Sequence, residues 1–464
     1  MPNWLTYWRQ NARYHDVAHV CLPLVMGISA TTVMEFTDRA FLANYSLEAI
    51  SAAAPAGIAA FLFMAFFGGV GSYAGVFIAQ YSGSGARNRI GRVLWQGIYF
   101  SLFSGLIFWG LSEWAAEPLF RLAGHNPEVQ TLEVVYFNIL CRGAILHVAV
   151  ATLSTFFSGR GLTRPVMVIS VIGMLINIPL DYALIFGRWG LPEMGIAGAG
   201  LATVASWGIS LLLVIILIFT REHDRDFAVF SNRSFDREIF LRLMRYGIPG
   251  SLQFSIDILA FTVFILLVGR IGTIELAATN IVLSINALAF MPSMGVSQGI
   301  SVLVGQALGR KRPDQARFAV WSGIHLLLLY IGIVDLFFIF CPETILLPFI
   351  APGQDPAVSA QVLENAVDIL RIISAYLFFD ALYMVFSGAL KGAGDTRFLM
   401  LSVGLASLLC LILPVGLGIA YFQMGILMAW LFVLIFVFTL FLLSAGRYRK
   451  GKWQKMLVIE ESAR

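Results

Sequence analysis

GVSQGISVLVGQALGRKRPDQARFAVWSG, residues 295–323, is an apolar run ending in glutamine, a glycine turn with basic residues, and a second apolar run. The same pattern occurs 226 positions earlier, as GVGSYAGVFIAQYSGSGARNRIGRVLWQG at residues 69–97. Aligned without a gap, Gly69, Val70, Val76, Gln80, Gly83, Trp95 and Gly97 meet Gly295, Val296, Val302, Gln306, Gly309, Trp321 and Gly323. Pro23 and Pro249, each early in a hydrophobic segment, keep the same offset. A later pair agrees after a small insertion: SGRGLTR at residues 158–164 against KGAGDTR at 391–397. Glycine and valine are common in apolar stretches, so a single window proves little. Collinear landmarks along the whole length imply two copies of one module.

With 59% hydrophobic and 12% charged residues, the chain is too apolar for a soluble protein of this size. A hydrocarbon core of ~30 Å is crossed by about 20 apolar residues of helix. Such stretches recur at roughly 17–41, 48–81, 93–113, 131–157, 165–187, 195–219, 243–268, 277–305, 316–340, 361–389, 397–419 and 424–445. The expected fold is an all-α integral membrane protein of twelve transmembrane helices. Two six-helix bundles, residues 1–219 and 241–464, flank a charged linker at 220–240. Both copies start on the same side, so they are parallel repeats with a pseudo-two-fold axis along the membrane normal. The linker, TREHDRDFAVFSNRSFDREIF, reads as a partly helical strap on the membrane surface. No cleavable signal is expected, because the amino terminus is polar and the first apolar segment exceeds an h-region. Cys21, Cys141, Cys341 and Cys410 are scattered without metal-ligand spacing and read as small hydrophobes.

The net charge of +4 does not mark a nucleic-acid partner, because the basic residues follow a membrane rule. Twenty-five lysines and arginines lie on the side of the amino terminus, from Arg9 and Arg13 to the tail ending in Arg464. The other side has four: Arg39, Arg121, Arg188 and Arg270. That asymmetry places both termini in the cytoplasm of a multi-pass plasma-membrane (bacterial inner-membrane) protein. Arg142 and Arg371 stand early in the fourth and tenth spans and read as snorkelling to the outer interface.

A charge inside the hydrocarbon costs roughly 2.5–3.5 kcal/mol on translocon scales, so each needs a reason. The first span carries Glu35 and Asp38, one turn apart. The fifth carries Asn177 and Asp181 on one face, with Pro179 between them able to kink the helix; Thr203 in the sixth can add a hydroxyl. At about 1.5 Å per residue, Asp38 and Asp181 fall at similar depth in the outer half of the membrane. Two carboxylates, an amide and a hydroxyl suit a hard cation such as Na⁺, or a shared proton. Glu35 can instead face water. In the second half, Gln253 and Asp257 lie in the seventh span, and Tyr376 and Asp380 in the tenth, near the midplane. They read as a substrate or second-cation site, with Tyr376, Phe378, Phe379 and Tyr383 able to form a cation–π wall. The glycines of GGVGSYAG and KGAGDTR lack the strand-to-helix context of a nucleotide loop. His147 and His325 stand alone, and no nucleophile–base or HExxH pattern supports an enzyme.

Across essentially its whole length the pattern resembles the MATE family, the multidrug and toxic compound extrusion transporters, in its NorM-like bacterial branch. The resemblance rests on the two six-helix halves, the repeated GV…V…Q…G motif, the G-x-G-x-T-R loops and the placement of the acidic residues. It implies export of amphiphilic, often cationic, compounds in exchange for Na⁺ or H⁺ by alternating access. It places Asp38, Asn177, Asp181 and Thr203 at the family's amino-lobe cation site, with Na⁺ the candidate metal at the first three. Tyr376 and Asp380 match the NorM-like tenth helix. Asp257 stands where many bacterial members carry Glu, one methylene shorter. No cofactor beyond the coupling ion is expected; the partners are an amphiphilic small molecule and membrane lipid, the protein acting as a monomer. The alternative within transport is a flippase for lipid-linked oligosaccharide. Such a cavity would need several bases for pyrophosphate, and Arg142 and Arg371 are the candidates. A passive channel would not need two unlike carboxylate sites.

Overall fold

The computed structural model describes residues 13–349 and 356–460, so Arg9 and Arg464 of the basic side lie outside the described residues. Among the described residues, twelve helices are long and apolar enough to cross a membrane. In the first half they are α1 (Tyr14–Tyr45), α2 (Leu47–Ser84), α3 (Asn88–Trp114), α4 (Pro127–Ser158), α5 (Thr163–Phe186) and α6 (Gly195–Ile218). In the second they are α7 (Arg237–Val268), α8 (Thr273–Gly309), α9 (Pro313–Phe340), α10 (Pro356–Ala393), α11 (Thr396–Phe422) and α12 (Ile426–Arg449). No strand occurs among the described residues. Each expected span has its helix, usually with a few extra residues at the ends. A helix satisfies its own backbone hydrogen bonds, so it can run past the apolar stretch into the interface.

The helix ends are written locally. Proline opens α4, α9 and α10, where a missing N–H costs nothing. Gly85 and Gly187 close α2 and α5 in the left-handed conformation, with φ of 83° and 63°. The two G-x-G-x-T-R loops take the same turn: Gly161 and Gly394 have φ of 80° and 99°, and Thr163 and Thr396, both fully buried, lead into the next helix. Two helices are irregular. α2 is interrupted at Tyr73, whose N–H is shared between the carbonyls of Gly69 and Val70. α11 opens into a π-helical stretch at Ser407–Ile412, just before Pro414. α5 runs unbroken through Pro179.

The duplication is visible in the packing. In the first copy, a Cβ on Gly97 would touch Ala74; in the second, one on Gly323 would press on Ile300. Likewise Gly159 approaches Gly75, and Gly392 approaches Ser301, each through the backbone carbonyl. Ala74 and Ile300, like Gly75 and Ser301, are the same positions of the repeat. Small residues recur here because helices in lipid associate by close backbone approach rather than by expulsion of water.

The chain divides into two compact units. The amino-terminal unit comprises Pro23–Ser251 with Gly309–Lys311 and the tail from Leu457. The carboxy-terminal unit comprises Leu252–Leu308 and Arg312–Met456, together with the start of α1 up to Leu22. Compactness therefore does not follow the linker: the first turns of α7 and tail residues 457–460 pack with the first-half helices. There Gln80, the glutamine of the repeated motif, accepts the Val458 N–H at 2.8 Å. The Tyr81 hydroxyl donates to Glu460 at 2.5 Å, and Arg89 and Arg242 reach the same carboxylate at 3.6 and 3.4 Å.

The linker is a built element. Thr220 caps the short helix Arg221–Phe227, and Asp224 accepts from Phe230 N, Ser231 N and the Ser231 hydroxyl. Those bonds hold the Asp224 carboxyl below the usual carboxylate range. The rest lies along α3: Trp95 donates to Val229 O at 2.7 Å, and Arg92 reaches Asn232 and Asp236 at 2.9 and 3.1 Å. Asp236 then caps α7 by accepting from Glu238 N and Ile239 N. The approach needs glycine at position 91, where a Cβ would meet the carbonyls of Phe227 and Ala228. Gly91→Ala should therefore lower stability by about 1–3 kcal/mol, read as thermal unfolding in detergent. Gly332→Ala, in the open on α9, should be neutral or stabilising by roughly 0.5–1 kcal/mol, since glycine is the weaker helix former.

Candidate functional site

The amino-terminal unit brings together four of the residues expected there. Asp38 on α1, Asn177 and Asp181 on α5 and Thr203 on α6 are all buried, Asn177 and Asp181 completely. The i,i+4 spacing on α5 aims Asn177 and Asp181 at the same neighbour, and both adjoin Asp38. The Thr203 hydroxyl donates to Asp38 Oδ2 at 3.2 Å. The remaining capacity is unused: Asp38 Oδ1, both side-chain polar atoms of Asn177 and both Asp181 oxygens are buried without a hydrogen-bond partner. Unpaired buried polar atoms are uncommon in folded proteins, and four acceptors and one amide donor in one cluster mark a place built for something other than packing.

The neighbouring turn of each helix is apolar. Leu42 follows Asp38, Ile185 follows Asp181, and Ala199 precedes Thr203; with Tyr136 they belong to one buried apolar cluster. Tyr136 is a member the sequence did not disclose. From α4 it lies within the electrostatic reach of Asp38 and Asp181, and no spacing within α4 links it to either. Glu35 is not brought into the cluster. It sits one turn before Asp38 but is exposed, consistent with a residue facing water.

The carboxy-terminal unit forms a second acidic site. Gln253 donates from its amide to the Tyr383 hydroxyl at 2.7 Å, joining α7 to α10. Asp380 and Tyr376 are buried on α10, and Asp257 is half-buried on α7, one turn beyond Gln253. Asp380 feels the field of Asp257, and Tyr376 and Tyr383 lie within the field of both. Asp380 Oδ2 and Gln253 Oε1 are buried without a partner. The aromatic wall is narrower than expected. Tyr376 and Tyr383 flank the acids, whereas Phe379 packs on Phe438 and Phe441 of α12 and Phe378 is exposed. A phenylalanine one or two residues from Asp380 is turned by about 100° per residue, off the acidic face.

Other groups are accounted for elsewhere. Arg142 is exposed and pairs with Glu113 at 2.7 Å, and Arg371 is exposed and pairs with Asp368 at 3.2 Å. His147 lies against Trp207 and His325 against the Tyr14 hydroxyl. All four cysteines are free, Cys21 and Cys141 buried. Among the described residues no group of three or more His, Cys, Asp and Glu could hold a metal ion. Asp335 on α9 has a buried oxygen without a partner, a position not singled out from the sequence.

Twelve membrane-length helices around two buried acidic sites define a multi-pass membrane protein of the transporter class. The profile of the MatE family matches residues 23–183 and 249–416, and the chain belongs to that family, as a NorM-like member. The probable multidrug resistance protein NorM of Thermotoga maritima is 29% identical over 453 residues, covering 96% of this chain and 94% of that protein. The multidrug resistance protein PmpM of Pseudomonas aeruginosa is 29% identical over 401 residues, covering 85% and 81%. Among solved structures, an outward-facing multidrug resistance MATE transporter of the MOP superfamily superposes with a TM-score of 0.85 at 21% identity, covering 95% of this chain and 97% of that one. A MOP superfamily transporter from Pyrococcus furiosus, described as having a binding pocket of reversed polarity, gives 0.85 at 20% identity, with 96% and 97% covered.

The hydroxyl of Thr203 donates to Asp38. Thr203→Val, of nearly the same shape, should lower stability by about 1–3 kcal/mol by leaving a buried carboxyl oxygen unmet, while Thr203→Ser should stay near wild type. Thermal unfolding in detergent measures both.

Proposed function

We propose that the protein exports amphiphilic, mainly cationic, compounds across the bacterial inner membrane in exchange for Na⁺ or H⁺, by alternating access. One observation carries the reading: two adjoining carboxylates, Asp38 and Asp181, buried with an amide and a hydroxyl and with five polar atoms unmet. Two such groups in a dry pocket cannot both keep their charge unless a cation or a proton joins them. With the ion bound their repulsion is relieved and α1 and α5 close on it. With the ion gone, repulsion favours a separated arrangement. The ion thus biases a two-state element, the least that coupling requires. The oxygen-rich set of Asp38, Asn177, Asp181 and Thr203 suits Na⁺ as well as a proton. Asp257, Asp380, Tyr376 and Gln253 receive the substrate, acids and aromatic edges together favouring a cationic amphiphile.

The excess of Lys and Arg on one side supports cytoplasmic termini, and the protein works as a monomer in lipid. The relatives named as multidrug resistance proteins favour efflux. A flippase for a pyrophosphate-linked lipid is disfavoured, because Arg142 and Arg371 are exposed and already paired with Glu113 and Asp368. Transport of ethidium in proteoliposomes, under separately imposed Na⁺ and pH gradients, tests the reading and identifies the coupling ion. Asp181→Asn and Asp38→Asn should each abolish gradient-driven export while the protein still inserts. Asp380→Asn should weaken substrate-dependent transport and leave cation binding in the amino-terminal unit measurable. Wild-type export by Asp181→Asn would move coupling to Asp257 and Asp380.

A further inference from the structure

Glu133 is a buried acid that neither site uses. It lies in the second turn of α4, and its side chain is completely buried. Oε1 meets His125 Nδ1 at 2.7 Å, and Oε2 is buried without a hydrogen-bond partner. His125 stands just before α4 and is exposed, so the pair joins the surface to the interior. Packing does not demand an acid there: at the offset of the two G-x-G-x-T-R loops, the second copy has Ala366, likewise buried. A buried carboxyl with one partner is costly and needs a use. From Glu133 the polar groups continue inward. Tyr136 is one turn on along the same face of α4 and is buried. Its ring packs on α6 at Gly200, where an added Cβ would stand 3.4 Å from Tyr136 Cδ2. One turn beyond Gly200 is Thr203, whose hydroxyl donates to Asp38. Imidazole, carboxylate, phenol and hydroxyl thus lead from the surface to the acids of the pocket, all within the amino-terminal unit. The space between is filled: Leu42, Phe137 and Ile185 share a buried cluster with Tyr136, and Phe120 of the short helix Ala116–Ala123 lies edge-on to Phe137 at 5.6 Å. A Na⁺ ion moves only where oxygens replace its hydration shell, whereas a proton needs groups that exchange it. The other charged groups at this end of the unit are exposed. They are Glu35 and Arg39 on α1 and Glu48 on α2; Glu113, Glu117 and Arg121 around the short helix; Glu128 and Arg142 on α4; and Arg188 and Glu193 after α5.

We propose that Glu133, with His125, is a relay that carries protons from the outer surface to Asp38 and Asp181, which makes the coupling ion a proton rather than Na⁺. In one passage the His125 imidazolium gives its Nδ1 proton to the Glu133 carboxylate, and the neutral ring turns over to take the next from the outer medium. The Glu133 carboxylic acid passes its proton inward and returns to carboxylate. The Tyr136 phenol and the Thr203 hydroxyl each accept one proton and release one. The net change is one proton moved from the outer medium to the Asp38 and Asp181 carboxylates. The inference rests on the transport reading and decides between its two ions.

The test follows ethidium export by purified protein in proteoliposomes while pH is varied on the side that carries His125, and separately under a Na⁺ gradient. Wild-type protein should respond to the pH gradient and not to Na⁺. Glu133→Gln keeps a hydrogen bond to His125 and removes the acid. It should lower kcat/KM for the outer proton about tenfold, moving the half-maximal outer pH down by about one unit, and lower kcat much less. His125→Gln should move the midpoint the same way, by about threefold in proton concentration. If the pair only anchors the loop before α4, neither glutamine variant moves the midpoint, and the proposal falls. It falls also if both variants slow export equally at every outer pH, as damage to the fold would. Should Glu133→Gln not insert, His125→Gln, at an exposed position, decides alone. Wild-type export driven by Na⁺ and not by pH overturns the relay and leaves the transport reading standing. Wild-type protein that exports under neither gradient takes both down.

Discussion

A carboxylate packed among helices in a place without water has to be answered by the protein or by what the protein carries. The backbone raises no such demand, because each membrane helix closes its own hydrogen bonds. Asp38 and Asp181 are held in place by the next turn of their helices, where Leu42, Ile185, Ala199 and Tyr136 pack into one cluster. Apolar packing thereby holds two acids where their own hydration would not keep them. One hydroxyl, from Thr203, offsets part of that cost. The rest is left open, in five buried polar atoms of Asp38, Asn177 and Asp181 without a hydrogen-bond partner.

The scaffold that holds these acids is repeated, and the chemistry it carries is not. Gly97 on Ala74 and Gly323 on Ile300, with Gly159 on Gly75 and Gly392 on Ser301, are the same helix contacts made twice. The acids fall on α1 and α5 in one copy and on α7 and α10 in the other. Helix crossings tolerate only small residues, so they stay alike between copies. Positions facing a cavity carry no such restriction. Lys391 against Ser158 shows how far two equivalent loop positions can diverge.

Much of the architecture was legible because a bilayer makes one demand on every spanning segment, a run of about 20 apolar residues. The positions of all twelve helices, the turn glycines Gly161 and Gly394, and the pairing of Asn177 with Asp181 on one face of α5 follow from local rules. Glu35 and Asp38 mark the limit of such rules. Neighbours on one helix, they divide between surface and core, because burial depends on the helices opposite. The phenylalanines beside Asp380 show the same limit: adjacency in sequence turned them off the acidic face and onto α12.

By itself, then, the amino-acid sequence determined the number and length of the helices, the duplication, the linker and the list of intramembrane acids. Each is a property of composition or of spacing within one segment. The tertiary structure alone decided that Tyr136 shares one buried cluster with Leu42 and Ile185, the residues one turn beyond Asp38 and Asp181, and that Gln253 meets Tyr383. It also decided that the tail from Leu457 and the first turns of α7 pack with the first-half helices, where Gln80 of the repeated motif receives Val458. Those are contacts between segments tens to hundreds of residues apart. No periodicity encodes them, because what selects them is the fit of one helix surface against another.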